Sequence, residues 1–305
     1  MAHSLRLRAH SKSVTALAFA PDGGELVTAT ANGWIGIWDT ETWTSRGSIH
    51  AHHKGIHSIA LDVTGRRLFT ASLDRRVRIW AYPELALVGE LPRQNRAVTS
   101  VAVAPEGRYA ATASPESVAR VWDLEYRAMV AQAGGKRRSI AGLAFRPDGK
   151  FLVSTGFGGV VGIWRVPKLE LYTVLQASGE VAFPPRFSPD GRLLVCCSFG
   201  RHVHVWNAED WSHVGAVDVR ARGVLHAAFT TDGRHLLVSG RDELRILSVE
   251  TGRVVAEEKT ARDDASQIVV SPDGDWVVKA AGQGWLRMWR LGVLDSSDIL
   301  PLMIP

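Results

Sequence analysis

The chain has 305 residues, 46% of them hydrophobic and 22% charged, the make-up of an ordinary folded protein. No window reaches the roughly 18 consecutive apolar residues of a membrane-spanning helix, and the opening "MAHSLRLRAH" lacks the apolar core of a secretory signal, so a cytoplasmic protein is expected. Lys and Arg number 36 against 31 Asp and Glu, a net charge of +5 that suits an acidic partner without requiring one. The only cysteines, Cys196 and Cys197, are adjacent and would point to opposite faces of a strand, which excludes a disulfide framework.

The first element in chain order is "SLRLRAH", residues 4–10, which aligns 42 positions upstream of "RGSIHAH", 46–52. Next comes "VTALAFAPDGGELVTATANGWIGIW", 14–38. It reads as three short strands divided by a Pro-Asp-Gly turn and an "ANG" turn, and "TWTSRGSIH" supplies a fourth. The same unit then recurs. Trp38, Trp80, Trp122, Trp164 and Trp206 are evenly spaced at 42 residues; Leu247 takes the Trp slot of the sixth unit and Trp289 that of the seventh. The turns keep step, with "PDG" or a variant at 21–23, 63–65, 105–107, 147–149, 189–191, 231–233 and 272–274. Self-similarity at this period, with no sustained helical pattern, predicts an all-β fold: a single seven-bladed β-propeller with four antiparallel strands per blade. The expected domain is 1–291, followed by a tail at 292–305. The last unit holds only three strands, so residues 4–10 are expected to pair with "GWLRMW" and close the ring, which removes an open sheet edge.

The Trp-Asp ends at Trp38-Asp39 and Trp122-Asp123, the Asp-Gly turns and the period of about 42 resemble the WD-repeat (WD40) propeller family over residues 4 to about 291. The resemblance implies a buried hydrogen-bonded chain in each blade, made of a loop His, a Ser or Thr, an Asp and the Trp. Mapped onto this sequence, the second blade offers His52, Ser72, Asp74 and Trp80, and the first offers His10, Thr30, Asn32 and Trp38. That accounts for His52 in "HAHHKGIH", 50–57, better than a zinc site through His50, His53 and His57, whose positions along a strand diverge. Blade three has Gln94 and blade four Lys136 in the His slot, and these blades are expected to rely on packing instead.

No nucleophile elbow, Walker A loop, H-E-x-x-H or C-x-x-C motif is present, and no cofactor or metal is expected. The expected function is a monomeric, non-enzymatic scaffold. The loop before each first strand carries Lys12, Lys54, Arg96, Arg138 and Arg222, thickened by Lys136 and Arg137 in blade four; Glu180 and Asp263 break the series. The resemblance puts this loop, with that between second and third strands, at one mouth of the central channel. Trp34 and Trp285, and Phe157 and Phe199, stand on the second of these loops. Cations beside exposed aromatics would suit a protein or peptide, acidic and phosphorylated ones included. The alternatives are nucleic-acid binding by the same ring and, more remotely, a propeller enzyme with its site at the channel mouth. A second set of cations, Arg66, Arg108, Lys150, Arg192 and Arg234, follows the turn glycines on the opposite mouth, so two basic rings also fit ordinary solvated loops.

Overall fold

A computed structural model describes residues 4–116, 118–134, 140–177, 183–198, 202–219, 226–240, 243–259 and 267–291. Among them lie 28 strands and one three-residue 3-10 turn, Gly282–Gly284. The strands form seven antiparallel sheets of four, a seven-bladed β-propeller. Blade one is Val14–Phe19, Glu25–Thr30, Trp34–Asp39 and Ser45–His50, from the channel outward. The two middle strands are almost wholly buried and the outer strand alternates, as expected of a sheet packed on both faces only near its centre.

Three local devices repeat. The turn after each first strand ends on a glycine with φ between 65° and 80°, Gly23 to Gly274, a left-handed conformation that a side chain would strain. The Asp before that glycine often caps the turn, as where Asp22 accepts from the Gly24 N–H at 3.0 Å and Asp190 from the Arg192 N–H at 3.0 Å. The third strand slips register against the fourth just before the Trp slot, at Ile37/Trp38, Ile79/Trp80 and Ile246/Leu247 among others, a bulge that sharpens the blade's twist.

The core lies between blades. Val27 and Ile35 of blade one pack on Ile56, Leu68 and Trp80 of blade two, and equivalent clusters follow around the ring. Leu237 and Leu247 belong to buried clusters in blade six, so a leucine fills the Trp slot there by packing alone. Each large side chain buried in this way contributes about 1.5–3 kcal/mol.

The ring closes between the two ends of the described chain. Leu5–Arg8 pairs antiparallel with Trp285–Arg290 as the fourth strand of blade seven. The seam is then sewn at three further levels. Gln267 bonds the Leu17 backbone N–H (2.8 Å) and carbonyl (3.3 Å), Trp43 meets Trp276 edge-on at 5.0 Å, and Leu17, Leu26 and Trp38 share a core with Val278, Leu286 and Met288. No helix among the described residues is long and apolar enough to cross a membrane. Residues 292–305 lie outside the described residues.

Candidate docking surface and the polar chain beneath it

In blade two the buried chain runs Trp80, Thr70, His52, Asp74. The Trp80 indole N–H donates to Thr70 Oγ1 at 3.0 Å, Thr70 Oγ1 lies 2.7 Å from His52 Nε2, and His52 Nδ1 lies 2.9 Å from Asp74 Oδ2. The direction follows from the ends. The indole only donates and a carboxylate only accepts, so the Thr70 hydroxyl donates to Nε2 and the imidazole carries its proton on Nδ1. Burial opposes ionisation of Asp74, but the His52 hydrogen bond and its partial charge together hold this carboxyl below its usual range.

The hydroxyl in this chain is therefore Thr70 and not Ser72. Leu68 is the Cα partner of Trp80 across the ladder, and the indole leans to the diagonal neighbour two residues on. Ser72 instead donates to the carbonyls of Gly55 (2.9 Å) and Lys54 (3.2 Å), pinning the loop above. Blade one shows the same correction. The Trp38 indole and His10 Nε2 both meet Thr28 Oγ1, at 3.0 and 2.7 Å, whereas Thr30 donates to Asn32 and accepts from the Trp34 N–H at 2.9 Å. With no carboxylate beside it among the described residues, His10 is pushed down to about 4 by burial. Blade three corrects the expectation of packing alone. Gln94 Nε2 donates to Thr112 Oγ1 at 3.1 Å, the Trp122 indole donates to the same oxygen at 2.9 Å, and Arg120 donates to Gln94 Oε1 at 3.1 Å. In blade four the Trp164 indole donates to Ser154 at 2.9 Å. The column Thr28, Thr70, Thr112, Ser154 was visible in the 42-residue repeat, but so was Thr30, Ser72, Ser114; both lie on one strand face, and only the lean of the indole chooses between them.

Above these chains two loop units repeat. Gly33 accepts from the N–H groups of Ala51 (2.8 Å) and His52 (3.0 Å); Gly284 accepts from those of Ala9 (2.9 Å) and His10 (3.0 Å). Both glycines have positive φ, and a Cβ on either would fall 1.9 Å from the carbonyl oxygen of His52 or His10 and 2.9 Å from that of Lys54 or Lys12. Glycine is thus required for the contact. The residue after each is a tryptophan on the surface, Trp34 and Trp285, each 39% exposed. The result is two Trp–Lys units, Trp285 beside the Lys12 loop and Trp34 beside the Lys54 loop. His50 extends the second, its ring tilted against Trp34 with centroids 5.4 Å apart. Lys12 and Lys54 are exposed and form no ion pair among the described residues.

Arg96 is exposed too, but its Nε donates to Glu116 at 2.9 Å, which offsets its charge at the rim. Phe157 is exposed and lines the central cavity. Lys136, Arg137, Arg138, Phe199 and Arg222 lie outside the described residues. His50 and His53 stand 6.3 Å apart edge to face, and among the described residues no three His, Cys or carboxylate side chains are grouped to hold a metal.

Seven four-stranded blades, a strand-closed ring and Trp-to-His hydrogen-bonded chains define a WD-repeat propeller. The chain matches the family model described as the IFT122 first beta-propeller over residues 13–290, and it belongs to that family. No curated protein matches it.

Proposed function

We propose that the protein is a monomeric, non-enzymatic interaction scaffold of the cytoplasm that docks an acidic or phosphorylated peptide segment of a partner protein across the mouth formed by Trp285, Lys12, Trp34 and Lys54. The observation that carries this reading is the repeated Trp–Lys unit. Each pairs an exposed indole with an ammonium that forms no ion pair among the described residues, on a loop fixed from below by a glycine contact. Aromatic anchors supply contact area, and cations steer and register an anionic partner. The loops need little ordering on binding, which keeps the entropic cost low. Membership of a propeller family is consistent with it.

The test is an array of acidic, phosphorylated and neutral peptides probed with wild type and with a Lys12→Glu/Lys54→Glu variant. Acidic or phosphorylated peptides should be held by wild type and lost by the folded variant. Equal retention by both proteins overturns the reading. Retention of nucleic acid in place of peptide, weakening steeply with salt, would transfer the mouth to the nucleic-acid alternative.

A further inference from the structure

The central channel encloses a cavity of about 820 Å³ lined by the first strands of the blades. Its wall follows a rule. Ser58 accepts from the Val101 N–H of the next blade at 3.2 Å, Ser100 from the Leu143 N–H at 3.2 Å, and Gln267 from the Leu17 N–H at 2.8 Å. The register two positions beyond these residues is Ala18, Ala60, Ala102, Ala144, Arg186, Ala228 and Val269. Blade five alone places a cation where five blades place alanine. In the same blade Pro185 occupies the position that elsewhere offers the backbone N–H, so the usual bond between blades cannot form.

At the next junction, between blades five and six, Arg186 Nη2 lies 3.2 Å from His226 Nε2. A guanidinium only donates, so Nε2 accepts and the imidazole proton sits on Nδ1. That Nδ1 is buried with no hydrogen-bond partner among the described residues, and His226 is only 7% exposed. Arg186 opens onto the cavity yet lies deep within the ring. Desolvation pulls its pKa down from the usual arginine value, and burial pulls His226 well down as well. Cys197 is the other titratable group beside it, and burial pushes that thiol up to about 12, so it stays neutral. Among the described residues Arg186 has no ion pair, and none of those lining the cavity is Asp or Glu. A positive charge held in low dielectric with no counter-charge is costly unless something else supplies one.

We propose that Arg186 and His226 form an oxyanion site within the central channel that takes a carboxylate or phosphate group. Arg186 presents its remaining N–H groups in a planar fork suited to two oxygens, and His226 adds an unsatisfied Nδ1–H in the same wall. The site does not depend on docking at the mouth: the Lys12→Glu/Lys54→Glu variant should bind the anion as wild type does.

The experiment is calorimetric titration of wild type and Arg186→Ala with inorganic phosphate and, separately, with acetate, at fixed ionic strength. Alanine is what five other blades carry at this place, so the variant should fold, and a melting curve checks it. At least one probe should saturate a single site on wild type and bind at least about tenfold more weakly to Arg186→Ala. Which probe binds tells phosphate from carboxylate. Failure of both probes to saturate wild type, or equal binding to the variant, overturns the proposal. If the variant does not fold, the His226 Nδ1 resonance of wild type decides. A shift on adding phosphate or acetate supports the site, and no shift with either overturns it.

Discussion

Blades one to three and blades five to seven solve the same problem with different chemistry. Ten residues before the Trp slot, the first group carries Thr28, Thr70 and Thr112, each accepting the indole N–H. The second carries Cys196, Leu237 and Lys279 at that place, all buried; Lys279 Nζ donates to the Gly240 carbonyl at 3.0 Å across to blade six. Both groups build four-stranded blades of the same register, so the polar chain is not what makes a blade. What it does is tie a loop to a core. His52 is bonded through Nε2 to Thr70, while its main chain is bonded to Gly33 beneath Trp34. The proposed docking loops are those held in this way.

The largest expected effect tests the seam where the two groups meet. Removing residues 1–9 takes away the fourth strand of blade seven and should cost roughly 5 kcal/mol or more, through lost ladder bonds and exposed apolar surface. Chemical denaturation measures it, and an unchanged midpoint would refute ring closure by this strand. Thr70→Val comes next. It leaves the Trp80 indole N–H and His52 Nε2 buried and unpaired, about 2–5 kcal/mol in all.

The third effect is in pH. His10 is held at about 4, below its ordinary 6.5, so between these values the unfolded chain binds a proton that the folded chain refuses. Stability should therefore fall as pH drops from 6.5 to 4, by roughly 2–3 kcal/mol from this group. Burial also lowers His57, His204 and His226, so part of the slope persists without His10. His10→Gln, which uses the residue blade three employs, should flatten the rest in melts taken across that range. The smallest effect is Cys196→Val, a near-isosteric change in an apolar site, expected at under about 1 kcal/mol. A loss as large as that of Thr70→Val would erase the distinction between the two groups of blades.

The propeller was legible because Trp38 to Trp206 and the Pro-Asp-Gly turns carry backbone requirements that every blade shares. The chain beneath the mouth was legible only to within one strand repeat. Thr70 and Ser72 share size, polarity and face, and the choice depends on how far an indole leans across the ladder. Gln94 was misread because an amide, like an imidazole, can both donate and accept. Arg186 was in view in its column of alanines, but its meaning depends on His226, 40 residues away, and on the want of a carboxylate in the described wall, which is a fact of three dimensions.

The most direct test of the account is hydrogen exchange on the protein with and without the tightest peptide from the array. Docking as proposed predicts slowed exchange at residues 10–13, 32–34, 50–55 and 283–286, with the turns at 21–23, 63–65 and 105–107 unchanged. Protection confined to those turns would put the partner on the opposite mouth and contradict the account.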